Sequence, residues 1–421
     1  RDAGRIDALK DLLRVVIIVQ QNAGTGQLFQ TLVNFLYIHA GFELFFYEST
    51  EQIIVAPYSA GDIDLIRFFV HHQKKLTVIA FYGFERINST GIPLGLADKI
   101  RNYVLMTDAD QEKLYEKYWL PTEEAVRREN MAAFFINYLN LKVDGFPRED
   151  EAYDVFKAVY TDGAFTNQKM LGEIFHYAKY YKAFLYGDLK YGKAVNALLA
   201  DLQKLKQTTV FLFLFRVFDD YEAKIINQEV LEKVLRFLLN YSTRRLICEI
   251  GSNSLRGLYK TLYARVFARA ENKQHYYDAI VSFMMQLTSK DTLPTDSAFR
   301  TALEQKNLYR KNALCKYLLT AIENQGKEQL LTDNLTVEHI LPQNRNLSTS
   351  WQKMLGDNWE ADHDKYLHTL GNLTLTAYNG ELGDKPFAEK KEKLAEVQTK
   401  VVTLYEDVKT CERWDASAIE A

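Results

Sequence analysis

The sequence is poor in cysteine and proline, and these shortages exclude several classes of protein. Its 421 residues include three cysteines, Cys248, Cys315 and Cys411, and this odd, widely spaced set predicts neither a disulfide framework nor a cysteine-ligated zinc site. Seven prolines and 20 glycines leave no room for a collagen-like or low-complexity architecture. We therefore expect an ordinary globular protein from a reducing compartment.

Long apolar runs and an excess of one charge are also lacking. The most apolar run, residues 210–215, ends at Arg216, well short of the roughly 18 residues of a membrane span. The chain begins with no recognisable signal peptide and no initiator methionine, which is compatible with a fragment. Its 52 Lys and Arg face 55 Asp and Glu, a net charge of −3, which excludes a polycation and an acidic disordered chain. We expect a soluble, cytoplasmic protein with no membrane partner.

The sequence does contain enough apolar material for a large core, since 47% of its residues are hydrophobic and 13% aromatic. A chain of this length is expected to form two or three domains. Short β-branched runs of strand length, mixed with helical patterns, occur at 14–19, 52–56 and 76–81. The predicted fold class is α+β and predominantly helical, with an α/β front domain (1–120), a helical connecting domain (121–330) and a C-terminal domain (331–421).

The C-terminal domain has the most informative pattern. We predict a strand over residues 335–341, a polar loop, and a second strand over 371–376. Asn379-Gly380 is a turn signal, and residues 387–401 form a Lys/Glu-rich helical pattern. The predicted order is therefore strand, strand, helix, with polar residues at the junctions.

Four polar residues at these junctions could form a hydrolytic site. Glu338 and His339 end the first strand, Asn372 opens the second, and Asn379 lies just beyond it. Glu338 and Asn379 offer the oxygen ligands that Mg²⁺ or Mn²⁺ requires, and an imidazole can take a proton from water. A metal ion would stabilise charge on a phosphoryl group. The set predicts phosphodiester hydrolysis.

A structural interpretation of the same residues stays open at this point. A histidine next to a glutamate before a proline often forms only a hydrogen-bonded pair at a strand end. Asn372 follows a glycine and could be a turn residue. Residue type and spacing alone leave both interpretations standing.

The C-terminal motifs resemble a known family. The motifs are Thr336-Val-Glu-His-Ile-Leu-Pro-Gln343, His368-Thr-Leu-Gly-Asn-Leu-Thr-Leu375, Asn379 and Lys385-Pro-Phe-Ala-Glu-Lys-Lys391. They are similar to the C-terminal nuclease domain of GmrSD-type, modification-dependent (type IV) restriction endonucleases, which belongs to the HNH or ββα-metal superfamily. The resemblance implies that His339 is the general base, Glu338 a metal ligand, Asn372 the residue that orders the site, and Asn379 a second ligand. It also implies hydrolysis of foreign, modified phage DNA with Mg²⁺ or Mn²⁺.

A second resemblance covers the front of the chain. Residues 83–94, 97–103 and 115–119 are similar to the ParB-like partner domain of the same family, and residues 241–248 to the region that joins the two domains. That partner domain binds or hydrolyses nucleotide, so the resemblance implies NTP as a ligand. The predicted nucleotide-binding residues are Arg86, Asn88, Ser89, Thr90 and Gly91.

The front domain departs from the family in one motif. The family's Asp-Gly-Gln-Gln-Arg-Leu-Thr-Thr sequence is missing, and its nearest counterpart, residues 24–32, lacks the Asp and the Arg. We expect weak or absent nucleotide hydrolysis. The donors of residues 88–91 precede a helix start, which favours an anion, but Ser89 and Thr90 could equally stabilise a turn.

Charge limits how the C-terminal domain could hold DNA. Residues 331–421 carry 10 Lys and Arg against 16 Asp and Glu, a net charge of −6, so bulk attraction cannot hold a polyanion. Lys385, Lys390 and Lys391 are the predicted DNA contacts, with a solvated helix face as the alternative. Two other functions stay open: a nucleotide- or DNA-binding regulatory subunit of a defence complex with a dormant nuclease, and a purely structural partner.

Overall fold

A computed structural model describes the strand backbones 17–18, 42–47, 52–57 and 66–67, and residues 94–105, 110–160, 166–325, 330, 332–377, 379–396, 401 and 403–421. These residues are predominantly helical with few strands, as the α+β prediction requires. No helix in these ranges is long and apolar enough to cross a membrane. Two compact units emerge: residues 1–121 with 148–172, and residues 122–147 with 173–421.

The helices are, in chain order, α1 (Leu96–Leu105), α2 (Gln111–Leu114), α3 (Leu120–Val126), α4 (Met131–Asn140), α5 (Ala152–Tyr160), α6 (Asn167–Tyr186), α7 (Gly192–Lys204), α8 (Phe211–Glu222), α9 (Gln228–Ile247), α10 (Leu255–Val266), α11 (Tyr276–Met285), α12 (Asp296–Gln305), α13 (Asn312–Glu323), α14 (Thr349–Leu355), α15 (Trp359–Tyr366), α16 (Asn379–Leu382), α17 (Phe387–Glu396), α18 (Thr403–Thr410) and α19 (Ala416–Glu420). A π-helical segment, Tyr115–Trp119, joins α2 to α3.

The first unit contains the front sheet. Its strands are β1 (Ile17–Ile18), β2 (Phe42–Tyr47), β3 (Gln52–Pro57) and β4 (Ile66–Arg67). β3 pairs antiparallel with β2 along its length and with β1 and β4 over shorter stretches. The predicted strand at 52–56 is confirmed by β3, whereas the run at 76–81 lies outside the described residues. The ParB-like fold of residues 1–120 stays a prediction.

Aromatic packing builds the helical part of the second unit. The apolar run at 210–215 enters α8, where residues 211–215 are all buried. A helix that is apolar on nearly every side must be covered on every side. Asp220, near the end of α8, is buried but accepts hydrogen bonds from Tyr263, Tyr276 and Lys273. These partners offset the cost of burying its charge.

The C-terminal strands pair as a two-stranded antiparallel sheet. β5 (Thr336–His339) lies against β6 (Leu373–Thr376), with Glu338 opposite Thr374 and His339 opposite Leu373. Both predicted strands exist but are shorter than expected. Asn372 belongs to a 3₁₀ turn that precedes β6 rather than to the strand itself.

Two local predictions in this region are wrong. The polar loop between the strands contains α14 and α15, because Trp351 and Leu355 lie one helical turn apart and are both buried. Asn379-Gly380 is not a turn but the start of α16, which buries Leu382. Gly380 does not adopt the positive φ that makes Asn-Gly a turn signal.

Helix α13 contributes to the same core as the two strands. Its Cys315 and Leu319 are buried in one cluster with Leu375 of β6 and Tyr405 of α18. This helix precedes residue 331, where a domain boundary was predicted, and that boundary stays a prediction. The helix α17 begins at residue 387 as expected, while residues 397–400 lie outside the described ranges.

Candidate functional site

Glu338 forms a buried ion pair with a lysine. Its Oε1 lies 3.3 Å from Nζ of Lys390 on α17, and the lysine side chain is 0% exposed. Lys390 also donates to the backbone oxygen of His339 at 2.7 Å. Burial raises the pKa of the Glu338 carboxyl and lowers the pKa of the Lys390 ammonium, while each charge counteracts the shift of the other. The lysine therefore helps to hold the end of β5 in place.

This contact corrects one predicted DNA-contacting residue. Lys390 cannot reach a phosphate from its buried position, because it lies on the same helix face as buried Phe387 and Leu394. Lys391 donates to the backbone oxygen of Cys411 at 2.8 Å and is half-buried. Lys385 is exposed, with Glu389 3.9 Å away. DNA contact by Lys385 and Lys391 stays a prediction.

His339 is enclosed by rings. It is 2% exposed, and its Nε2 lies 3.0 Å from Nδ1 of His368. The ring of Tyr309 meets it edge-on, with centroids 4.4 Å apart. Burial, reinforced by His368 and Lys390, lowers the pKa of His339 to about 3. The imidazole is therefore neutral at pH 7, and its Nδ1 is buried without a hydrogen-bond partner among the described residues.

Asn372 ties together the segments around the two strands. Its Oδ1 accepts from Leu341 N at 2.7 Å and from Trp414 Nε1 at 3.1 Å. Its Nδ2 donates to Leu341 O at 3.3 Å and to Leu367 O at 2.9 Å. The side chain is fully buried and has a partner at each position, so it has no capacity left for a ligand.

The turn that carries Asn372 also depends on the glycine before it. A Cβ at position 371 would clash with the backbone oxygen of Ile419 in α19. Real Cβ atoms do not approach backbone that closely, so only glycine fits here. The end of α19 therefore packs directly against the turn.

Asn379 lies beside β5 at the start of α16. Its Nδ2 donates to the backbone oxygen of Val337 at 3.1 Å. Its Oδ1 is buried and has no hydrogen-bond partner in the described ranges. An unpaired buried oxygen is costly, and a cation would satisfy it.

Two observations test whether a divalent cation fits this site. Asn379 supplies the unpaired oxygen, and Glu338 supplies a carboxylate on the neighbouring strand. Among the described residues, no group of three His, Cys, Asp or Glu side chains could hold a metal. Mg²⁺ retains several waters and needs only one or two protein carboxylates. One carboxylate and one amide oxygen are compatible with a Mg²⁺ or Mn²⁺ ion held largely by water, which stays a prediction, and such an ion would have to displace Lys390 from Glu338.

The predicted nucleotide-binding residues lie outside the described residues, so nucleotide binding stays a prediction. They are Arg86, Asn88, Ser89, Thr90 and Gly91. His363 is buried, with Nε2 2.8 Å from the backbone oxygen of Pro342. Sequence reasoning missed Tyr309 and Trp414, because their contacts join segments that are distant in the chain and carry no local signal.

The comparison with known families covers this region. The family model described as "GmrSD restriction endonucleases, C-terminal domain" matches residues 293–421. Residues 293–421 are therefore a domain of the GmrSD C-terminal family. No curated protein matches the chain. The GmrSD domain spans α12 to α19 and contains Glu338, His339, Asn372 and Asn379, so the resemblance of the C-terminal motifs is confirmed.

Proposed function

We propose that this chain is a metal-dependent HNH-type endonuclease that hydrolyses foreign, modified DNA in anti-phage restriction. The observation that carries the proposal is the buried, unpaired Nδ1 of the neutral His339, which follows Glu338 in β5, together with the buried, unpaired Oδ1 of Asn379, whose Nδ2 donates to Val337 O in the same strand. A GmrSD C-terminal domain supplies the coarser restriction-endonuclease assignment. The metal, the HNH chemistry and the modified DNA are the finer parts of the proposal.

His339 would act as the general base. A neutral ring has a lone pair ready to take a proton from the attacking water, although a pKa near 3 makes the free site weakly basic. A DNA phosphate beside the ring would raise that pKa, because a negative charge stabilises the imidazolium form. The base would thus strengthen when the substrate arrives.

Glu338 and Asn379 would hold the divalent cation. The bound ion would supply electrostatic stabilisation of the phosphoryl group and its leaving oxygen. Lys390 would have to release Glu338, in whole or in part, while keeping its bond to the backbone oxygen of His339. Asn372 would act through geometry, since it fixes the segment that follows His339.

The Lys390 pair also favours one alternative. A lysine that neutralises Glu338 would keep metal away if nothing displaced it, and the GmrSD domain would then be a dormant nuclease inside a regulatory DNA- or nucleotide-binding subunit. The two functions differ in whether raised Mn²⁺ elicits cleavage, because Mn²⁺ binds a nitrogen and oxygen site more tightly than Mg²⁺.

Cleavage of phage DNA with and without base modification tests the proposal. We expect nicking with Mg²⁺ or Mn²⁺, and a loss of about 10²–10⁴-fold in His339→Ala, the range for a lost general base. Asn379→Ala should recover partly with added Mn²⁺, whereas Asn372→Ala should stay slow at every metal concentration.

A matched control is available in His275, an exposed histidine in the helical part of the second unit. His275→Ala should cut DNA at the wild-type rate. Wild-type protein that cuts neither DNA at any Mg²⁺ or Mn²⁺ concentration would favour the dormant nuclease. Full activity in His339→Ala would remove His339 from the reaction.

A further inference from the structure

The imidazole of His339 has one partnered nitrogen and one unpartnered nitrogen. Its Nε2 lies within hydrogen-bond distance of His368 Nδ1, at 3.0 Å. Its Nδ1 is buried and has no partner among the described residues. A neutral imidazole carries one N–H and one lone pair. The pair of rings can therefore share its protons in only two ways.

The two arrangements differ in what the buried Nδ1 must carry. A proton on Nδ1 of His339 would leave an N–H donor in the interior without an acceptor, at a cost of about 1–3 kcal/mol. A proton on Nε2 instead donates to Nδ1 of His368 and leaves only a lone pair on the buried nitrogen. Buried acceptors are left unpaired more often than buried donors. His368 is half-buried, so solvent can accept from its own Nε2–H.

Packing holds both rings in the orientation that this hydrogen bond needs. Tyr309 stacks on His368, with centroids 5.4 Å apart and planes 7° apart, and meets His339 edge-on. The backbone N–H of Leu308 donates to the backbone oxygen of His368 at 3.0 Å. The segment between α12 and α13 therefore fixes the position of His368 against His339.

We propose that His368 is a positioning residue that holds His339 as the Nε2–H tautomer and so keeps the Nδ1 lone pair free to accept a proton. This inference rests on the proposed endonuclease function. In that reaction Nδ1 takes a proton from water as the water oxygen bonds to phosphorus and the bond to the leaving oxygen breaks. The leaving oxygen takes its proton from solvent, and His339 keeps donating to His368 as an imidazolium.

Two substitutions of His368 separate its hydrogen bond from its packing. His368→Phe keeps a ring against Tyr309 but removes both nitrogens, and His368→Asn can place an amide oxygen where Nδ1 lies. A general base misplaced by about 1 Å can slow a reaction by about 10²-fold. We therefore expect kcat to fall by about that factor in His368→Phe, with KM for DNA nearly unchanged. In His368→Asn, kcat should be about tenfold higher than in His368→Phe. A ring needed only for packing would give the opposite order.

Nitrogen-15 NMR of the full chain with labelled histidines gives a readout that does not depend on activity. Spectra recorded at about pH 8, above the ordinary histidine pKa of about 6.5, report the tautomers of neutral rings. We expect His339, assigned by the loss of its signals in His339→Gln, to show an unprotonated Nδ1. In His368→Phe it should become a mixture of tautomers.

The outcomes separate this inference from the endonuclease proposal. Wild-type His339 with its proton on Nδ1, or a His368→Phe variant with unchanged tautomer and kcat, overturns the role of His368. An inactive His339→Ala beside a fully active His368→Phe leaves the endonuclease standing and rejects the positioning role. If no variant cuts DNA but the tautomer still changes in His368→Phe, the contact is supported and the endonuclease proposal fails. Should His368→Phe not fold, the His368→Asn spectrum decides.

Discussion

Removal of the Asn372 side chain should destabilise the GmrSD domain more than any other single truncation at the site. Asn372→Ala deletes four hydrogen bonds and leaves four buried groups without partners. These are the N–H and C=O of Leu341, the C=O of Leu367 and the indole N–H of Trp414. Each unsatisfied buried group costs about 1–3 kcal/mol, and partial entry of water offsets some of this. We expect a loss of about 4 kcal/mol, a large part of the 5–15 kcal/mol that typically stabilises a domain.

Hydrogen exchange at the Leu341 amide measures this loss where it occurs. That N–H donates directly to Asn372 Oδ1 at 2.7 Å, so its exchange reports opening of this turn and not unfolding of the distant helices. A loss of about 4 kcal/mol should speed its exchange by about 10³-fold, since each 1.4 kcal/mol is tenfold. Urea unfolding, followed by Trp414 fluorescence, should give a lower midpoint for the domain.

The matched control is Asn358, an exposed asparagine that starts α15 without a side-chain capping bond. Asn358→Ala should leave the Leu341 amide and the urea midpoint unchanged. If Asn372→Ala exchanges within about tenfold of the wild-type rate, then the four hydrogen bonds contribute little and the proposed ordering role of Asn372 is refuted.

Three further predictions concern charge. Between about pH 6.5 and pH 3, His339 binds a proton in the unfolded chain but not in the folded protein, because folding lowers its pKa to about 3. The free energy of unfolding should therefore fall as the pH falls. The fall should be steeper than in His339→Gln by up to about 1.4 kcal/mol per pH unit. Lys390→Met leaves Glu338 unpaired, so it should destabilise the domain by about 3–5 kcal/mol and tighten Mn²⁺ binding in calorimetry. Arg310 is exposed, follows Tyr309 and has no side-chain partner among the described residues. Arg310→Ala should therefore weaken DNA binding and reduce the slope of log K for DNA against log salt concentration by about 1.

Each of these has a matched control and a contradicting result. A pH dependence identical in wild type and His339→Gln would mean that the ring is not kept neutral by the fold. Lys391→Met should change neither stability nor Mn²⁺ affinity as much as Lys390→Met, and equal effects would argue against competition for Glu338. The control for Arg310 is Arg269, another exposed arginine. Arg269→Ala should leave the salt dependence of DNA binding unchanged.

Local periodicity was sufficient to predict those elements whose burial repeats along the chain. The helix α1 has such a repeat, because Leu96, Ile100 and Val104 recur on one face and are all buried. The strands β5 and β6 were also located from local pattern, although their residues are buried almost continuously rather than at alternate positions. The helices α14 and α15 were missed because their surroundings are polar, and only Trp351 and Leu355 mark the buried face of α14.

The burial of Lys390 was indicated by its position in the sequence, but the charge of the side chain favoured the prediction of a DNA contact. Phe387, Lys390 and Leu394 are spaced by three and four residues, so all three lie on one helix face, and all three are buried. A lysine on such a face needs a carboxylate partner. The partner, Glu338, lies 52 positions away, and no pattern along the chain could identify it.

Glu338 and His339 are neighbours in sequence, but their environments shift their properties in different ways. The two side chains contact different groups: Glu338 meets the ammonium of Lys390, while His339 meets the rings of Tyr309 and His368. Burial favours the uncharged form of both side chains: it raises the pKa of the Glu338 carboxyl against the attraction of Lys390, and it lowers the pKa of the His339 imidazole to about 3. The neutral imidazole is the form that accepts a proton, whereas a cation at Glu338 would have to replace the ammonium of Lys390 to restore the charged carboxylate. In the proposed reaction the unpaired Nδ1 of His339 would take the proton and the unpaired Oδ1 of Asn379 would face the cation, so each of these two buried atoms would gain the partner that it lacks among the described residues.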